Sequence, residues 1–104
     1  MALPALTPEA RAEALNKAIA ARRARAALLA QLKTGQLDLA DVLAREDDVT
    51  ANTKVLHLLK GLPGVGDVRA QGLLTDLGIS ETRRVRGLGP IQRRRLLELF
   101  PSQR

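Results

Sequence analysis

The sequence has no cysteine, no tryptophan, no tyrosine and a single phenylalanine among its 104 residues. Without cysteine the chain can form neither a disulfide framework nor a thiolate metal site, which suits a reducing compartment. With so few aromatic residues, its core must be aliphatic. No apolar run approaches the ~20 residues that a membrane helix needs, and the N-terminus lacks the apolar segment of a signal peptide. We therefore expect a small soluble protein of the cytoplasm with no membrane partner.

Basic residues outnumber acidic ones, with seventeen Lys and Arg against eleven Asp and Glu and a formal net charge of +6. The excess lies at both ends: residues 1–36 carry six basic and two acidic groups, and residues 61–104 carry eight and four. Most of the basic residues are arginine, whose planar guanidinium group suits phosphate oxygens. The expected partner is therefore a polyanion.

The N-terminal third predicts one long helix. Thr7 is suited to cap it and Pro8 to occupy its first position, and neither glycine nor proline follows until Gly35. Alanine, the best helix former, is the most frequent residue in between. We predict a helical arm in residues 1–36 and a compact helical domain in residues 37–104, together one structural unit. No stretch alternates as a strand does, so the fold class is all-α.

A basic stripe is predicted along this first helix. At about 100° per residue, four basic side chains fall within roughly one quadrant of the helix. They are Arg11, Arg22, Arg25 and Lys33. The apolar residues of the same helix form a poor stripe, so its first half should pack only partly while its second half docks. The stripe is a candidate second surface for the polyanion.

Shorter helices are predicted in the rest of the chain. Asp38 is suited to begin one of them, residues 47–50 are expected to be a loop, and a further helix should start at Thr50 or Asn52 and end near Lys60. Core positions are expected at helical spacing on both sides of a glycine run and at the end of the chain. They are Val55, Leu58, Leu59, Leu62, Val68, Leu73, Leu77, Leu96, Leu97 and Phe100, with Gly72 permitting close helix contact and Pro90 opening the last helix.

The glycine run GLPGVG, which begins at Gly61, predicts a helix-hairpin-helix turn. Gly64 can take the positive φ that so sharp a reversal needs, and Val65 is expected to plug the core. Gly66 then opens the next helix with no side chain over its amide, so the free N–H groups and the helix dipole form an anion site. Arg69, one turn on, can add charge. A tight turn without a ligand is the plainer alternative.

A second candidate element is the arginine-rich segment RRVRGLG at residues 83–89. It predicts a short helix-turn unit in which the valine points inward. Arg83, Arg84 and Arg86 are expected to bind an anion, because three guanidinium groups so close together repel one another. For the run Arg93-Arg94-Arg95 in the last helix, solvated charge and contact with a ligand are equally expected.

Catalytic motifs are missing from the sequence. It shows no Ser/His/Asp set, no phosphate-binding loop, and no lysine after Lys60 that could serve a hairpin-type DNA glycosylase. His57 is the sole histidine and has no evident ligand partners, so it is expected to be a partly exposed helix residue. We predict no catalytic residue, no metal site and no cofactor.

Two blocks of the sequence closely resemble the actinobacterial (mycobacterial-type) integration host factor family. They are MALPALTPEARAEALNKAIAARRARA at residues 1–26 and LPGVGDVRAQGLLTDLGISETRRVRGLG at residues 62–89. The resemblance implies a monomeric, all-helical, nucleoid-associated protein with a helix-two-turn-helix unit. It implies binding to double-stranded DNA with little sequence preference, bending or compaction of that DNA, and assistance to a phage or tyrosine-type integrase.

By position, the resemblance assigns DNA contacts to the hairpin and to the arginine-rich segment. The residues are Gly64, Val65, Gly66, Arg83, Arg84 and Arg86. Asp67 places a negative charge beside the proposed phosphate site, although it can instead cap the following helix. An RNA-binding or ribosome-associated module remains the alternative function. RNA readers usually stack bases on aromatic side chains, which this chain lacks, whereas duplex DNA held through its phosphates needs none.

Overall fold

A computed structural model describes residues 7–102 of the chain. Helix α1 spans Pro8–Thr34, and the Thr7 hydroxyl caps it by accepting a hydrogen bond of 3.0 Å from the Ala10 amide. The helix ends at Gly35, which has a φ of 81°. The predicted start and end of the long helix are therefore confirmed.

Five further α-helices and one 3₁₀ turn follow, so the described residues form an all-α fold. They are α2 (Leu39–Leu43), α3 (Asp48–Asn52), α4 (Val55–Gly61), α5 (Asp67–Leu77), the 3₁₀ turn (Val85–Gly87) and α6 (Pro90–Leu99). Asp38 caps α2 as predicted, and its carboxylate accepts a hydrogen bond of 2.9 Å from the Asp41 amide. None of the helices within residues 7–102 combines the length and the apolar character needed to cross a membrane.

The prediction of a loop at residues 47–50 is wrong, because this segment contains the start of α3. The Asp47 carboxylate caps that helix by accepting hydrogen bonds from both the amide and the hydroxyl of Thr50. These hydrogen bonds, the backbone one first, hold the pKa of Asp47 below its ordinary value against a smaller opposing effect of burial. The single helix predicted to end near Lys60 is in fact two, α3 and α4, separated at Thr53.

The core is aliphatic and joins α1 to α4 and α5, the two helices on either side of the glycine run. Leu96 in α6 is buried as predicted, and Leu97 and Phe100 are partly buried against the core. Four predicted core positions of α4 and the turn after it are also buried: Val55, Leu58, Leu59 and Leu62. The prediction for Val68 is wrong, because this side chain is 85% exposed. Helix α5 instead turns Ala70 and Leu74 into the core, while Leu73 and Leu77 are partly buried.

Gly72 does not provide the predicted close helix contact. It lies on the exposed side of α5, and a Cβ atom placed there would meet no atom within 4 Å.

Helix α1 docks by its C-terminal half only. Leu28 and Leu32 are buried against the core, whereas Leu15, in the first half of the helix, is 60% exposed. The docked half packs against α3 and α4. The division of the chain into residues 1–36 and 37–104 stays a prediction. The last turns of α1 belong to the same core as α4 and α5.

The arginine-rich segment is attached to the start of α4 by backbone pairing. The Val55 amide donates to the Arg83 carbonyl at 2.9 Å, and the Val85 amide donates to the Thr53 carbonyl at 3.0 Å. Lys54 and Arg84 form an isolated antiparallel bridge between these segments. Two stretches that are far apart in sequence therefore share one surface.

Candidate nucleic-acid interface

The hairpin between α4 and α5 has the backbone geometry that the sequence predicts. Gly64 has a φ of 77°, a conformation that β-branched residues essentially never adopt. Val65 is buried, and its amide donates to the Leu62 carbonyl at 3.2 Å. The valine therefore anchors the turn from inside while the glycine reverses the chain.

The N-terminus of α5 is open to solvent. Gly66 is its N-cap residue and is exposed, and no side chain caps the helix, in contrast to α1, α2 and α3. The first amides of an α-helix have no partner within the helix, so they point outward with the positive end of the dipole. A Cβ atom at Gly66 would meet nothing within 4 Å. The absence of a side chain leaves room for a ligand here and is not required by packing.

Asp67 faces Lys60 instead of capping α5. Its Oδ1 atom lies 3.2 Å from the Lys60 Nζ, and both side chains are partly solvated. The negative charge next to the open amides therefore already has a cationic partner, which joins the two hairpin helices.

The four arginines predicted at the site differ in their surroundings. Arg69, in the first turn of α5, and Arg86, in the 3₁₀ turn, are exposed and make no side-chain hydrogen bond to the described residues. Arg83 is half-buried as a residue, and its guanidinium donates to the Gly87 carbonyl at 2.6 Å. The guanidinium of Arg84 is exposed and donates to the Asn52 carbonyl.

The three clustered arginines therefore do not all depend on an anion for compensation of their charge. Two of the three guanidinium groups, those of Arg83 and Arg84, have main-chain oxygen partners. Val85 between them is buried, as predicted. Arg86 remains the arginine of this segment that is free to meet a ligand.

The arginine run in the last helix divides in the same way. Arg93 is half-buried, and its guanidinium donates to the Leu43 carbonyl at 2.6 Å, which ties α6 to α2. Arg94 lies 4.0 Å from Glu98, and Arg95 is exposed. Sequence reasoning missed the role of Arg93 because a long-range contact to a carbonyl leaves no local pattern.

The basic stripe of α1 reaches the hairpin domain at its C-terminal end. Arg11, Arg22 and Lys33 are exposed, while Arg25 is half-buried. Lys33 also lines a cleft between α1 and α4, together with Lys60. The two candidate surfaces thus meet along α4.

His57 lies where these basic groups converge. It is an exposed residue of α4, as the sequence predicts. Partial desolvation of the ring, followed by the positive charges of four nearby basic residues, lowers the pKa of His57 below its ordinary value of 6.5. These residues are Lys54, Lys60, Arg25 and Arg84. Among residues 7–102, no three His, Cys, Asp or Glu side chains are grouped closely enough to hold a metal ion.

The helices that carry this site match a known protein family and a solved structure. Residues 32–100 match the family described as "S13-like H2TH domain". A solved structure described as "sIHF bound to an 8bp palindromic DNA" is similar, with a TM-score of 0.80 and 48% sequence identity. The similarity covers 82% of this chain and 98% of that one.

Three curated relatives are named integration host factor. The protein of Mycobacterium tuberculosis is 56% identical over 104 residues, which cover 98% of this chain and 99% of the relative. The protein of Mycolicibacterium smegmatis is 56% identical over 102 residues, or 96% and 97% of the two chains. The protein of Streptomyces coelicolor is 55% identical over 94 residues, or 88% of each. The chain therefore belongs to the integration host factor family and carries an S13-like H2TH domain.

Proposed function

We propose that the protein binds double-stranded DNA through its phosphates, with little sequence preference, and acts as an architectural protein that bends or compacts it. The observation that carries the proposal is the open N-terminus of α5 at Gly66, where uncapped amides face solvent with no side chain over them. A backbone phosphate can accept hydrogen bonds from these amides, and the helix dipole favours its charge.

The exposed arginines extend this site. Arg69 stands one turn after the open amides, and Arg86 projects from the 3₁₀ turn. Arg84 contributes positive charge from the segment paired with the start of α4. Gly64 and Val65 act indirectly, by setting the turn that presents Gly66. Arg83 holds its own turn through Gly87 and serves the interface as a positioning residue.

The stripe on α1 is proposed as a second DNA surface. Arg11 and Arg22 are exposed and lie before Leu28, the first buried residue of α1, so burial does not account for their placement. Arg25 and Lys33 continue the stripe to the cleft beside α4. Two basic surfaces on one monomer allow the protein to hold one bent duplex along its length or to bring two duplexes together.

The relatives support the proposed DNA-binding role. They are named integration host factor, and the similar solved structure contains duplex DNA. We infer a cytoplasmic, nucleoid-associated protein that acts as a monomer and assists a phage or tyrosine-type integrase. The RNA-binding or ribosome-associated alternative gains no support from these relatives. The proposed role is a binding role and not a catalytic one.

Salt dependence of DNA binding tests the proposal. If about five phosphates are neutralised, log K should fall with log salt concentration at a slope of roughly −4 to −5. Unrelated duplexes of equal length should give the same slope and similar affinity, while single-stranded DNA and structured RNA should bind more weakly. A slope near zero, or a strong preference for one duplex or for RNA, would contradict the proposal.

A further inference from the structure

The cleft between α1 and α4 has a close-packed base and a basic rim. It has a volume of about 410 Å³ and is lined by Leu29, Ala30, Lys33, His57, Lys60 and Gly61. The two helices approach closely at Gly61, where an added Cβ atom would lie 3.3 Å from the Leu29 Cδ2. The apolar groups come from the helix contact, so the polar groups that remain for a ligand are cationic or histidine side chains.

The charged groups around His57, which either line the cleft or act on its pKa, are all positive. Arg25 and Lys33 come from α1, Lys54 and Lys60 from the two ends of α4, and Arg84 from the paired segment. Only one of these five cations has a carboxylate partner within 4.0 Å among residues 7–102: Lys60 pairs with Asp67 of α5. A set of cations with so little internal compensation is suited to an anion with several oxygens.

We propose that this cleft binds a backbone phosphate of duplex DNA and that His57 takes up a proton when the phosphate arrives. The inference rests on the proposed function and adds a defined site to it. Lys60 borders both the cleft and the open end of α5, through its pair with Asp67. The two phosphate sites therefore belong to one continuous surface.

The sign of the proton linkage follows from the surroundings of His57. In the free protein, burial and then the charges of Lys54, Lys60, Arg25 and Arg84 disfavour the imidazolium form and lower the pKa of His57. A phosphate anion within about 4–6 Å favours the charged form and raises the pKa again. Binding then draws one proton from the buffer onto the free ring nitrogen, so affinity must increase as the pH falls.

Folding stability should respond to pH in the opposite direction. Because the pKa of His57 is lowered in the free folded protein, the unfolded chain binds the proton more readily. The stabilisation of the folded state is complete above the unfolded value of 6.5 and is lost as the pH falls towards the folded pKa. A protein that becomes less stable on acidification but binds DNA more tightly distinguishes this mechanism from general damage at low pH.

The direct test is NMR titration of the His57 ring, which gives an unambiguous signal because the chain has one histidine. The pKa should be higher in the presence of a short duplex than in the free protein. An unchanged or lower pKa in the bound state would overturn the proposal. The salt-dependent affinity of the same sample reports on the proposed function separately, so DNA binding with an unchanged His57 pKa would refute this inference alone.

Substitutions of His57 test whether its proton uptake controls the pH dependence of DNA affinity. Between pH 7.5 and 5.5 the wild-type affinity should rise by several-fold, and by no more than about tenfold per pH unit, since one proton is taken up. His57→Gln should remove this rise, while His57→Arg should bind about as tightly at high pH as wild type does at low pH. Both variants leave every other titratable group of the chain in place, so the difference from wild type isolates His57. An equal pH dependence in wild type and His57→Gln would contradict the proposal.

A matched pair on α1 tests whether the site lies in the cleft. The charge of Arg25 acts on His57, whereas Arg23 is exposed and lies roughly 160° away from Arg25 around the helix. Arg25→Gln should weaken duplex binding at least threefold more than Arg23→Gln does, with the larger loss at low salt. In the free protein, Arg25→Gln should also raise the pKa of His57, and Arg23→Gln should leave it unchanged. Equal effects of the two substitutions would remove the cleft from the interface.

Discussion

The Nζ atom of Lys60 lies 3.2 Å from the Oδ1 atom of Asp67, and this ion pair spans the hairpin from the end of α4 to the first residue of α5. The pair occupies the edge of the open helix end that we propose as the phosphate site. Asp67 stabilises the start of α5 through the helix dipole, yet it repels an incoming phosphate and holds a lysine that could bind it. The same residue thus favours the fold and opposes the ligand.

Asp67→Asn should therefore increase affinity for duplex DNA and slightly reduce stability. Removing a charge about 4 Å from a phosphate in a solvated site is worth roughly 1 kcal/mol, or about fivefold in affinity. Loss of the acidic group at the helix start should cost about 0.3–1 kcal/mol of unfolding free energy. Filter binding and thermal melting measure the two effects.

Asp76→Asn is the matched control, because Asp76 is exposed near the other end of α5 and its substitution changes the net charge equally. It should change affinity much less than Asp67→Asn. Equal gains from both variants would mean that net charge alone, and not the position of Asp67, controls binding.

Arg83 and Arg86 should separate stability from binding. Arg83→Gln removes a hydrogen bond to the Gly87 carbonyl, which should cost about 1 kcal/mol and lower Tm by roughly 4–8 °C. Arg86→Gln touches no described partner, so its stability should stay within about 0.5 kcal/mol of wild type. It should nevertheless reduce the steepness of the salt dependence by about 1, as expected for the loss of one phosphate contact. Normal DNA binding by Arg86→Gln would exclude this arginine from the interface.

Arg84→Gln should combine the stability loss of Arg83→Gln with the binding loss of Arg86→Gln. It loses the hydrogen bond to the Asn52 carbonyl and also removes one of the positive charges near His57. Both Tm and affinity should decrease, and the salt dependence should become less steep.

The stripe on α1 should contribute to DNA affinity without contributing to folding. Arg11→Gln combined with Arg22→Gln removes two exposed charges from the part of α1 that precedes its first buried residue. Tm should stay close to that of wild type, while compaction or bridging of long DNA in single-molecule assays should decrease. The variant Lys17→Gln with Arg23→Gln is the control, because it removes two exposed charges of α1 that lie outside the stripe. Unchanged compaction by the stripe variant would leave α1 with a structural role only.

Much of the fold follows from local signals in the sequence. Thr7, Gly35 and Asp38 form hydrogen bonds with residues three positions away, so the helix ends can be predicted from the local sequence. Gly64 and Val65 follow the same logic, since positive φ and an apolar plug are requirements of the turn itself.

The errors arise where tertiary context decides. Val68 has the spacing of a core residue, but α5 begins at Asp67 and places its buried face on Ala70 and Leu74. The pairing of Lys54 with Arg84 and the contact of Arg93 with Leu43 join segments that are distant in sequence. The basic surroundings of His57 depend on that pairing, so the cleft beside it could not be predicted from spacing.

We propose that the exposed amides at the start of α5 bind a DNA phosphate because Gly66 has no side chain. Its backbone, with φ of −94° and ψ of −179°, is extended and open to any residue, and the space around it is free. Gly66→Leu should therefore fold normally but lose the close approach of a phosphate to the amides. Gly64→Val, at a φ of 77°, should instead damage folding.

The most direct measurement compares duplex affinity and Tm for Gly66→Leu and Gly72→Leu. Gly72 is exposed on the same helix, and a side chain added there also meets free space. We predict that both variants melt within a few degrees of wild type. Gly66→Leu alone should lose roughly tenfold or more in affinity, the scale of a hydrogen bond to a charged group. Wild-type affinity in folded Gly66→Leu would show that the amides of α5 do not hold a phosphate and would leave the arginines as the binding groups.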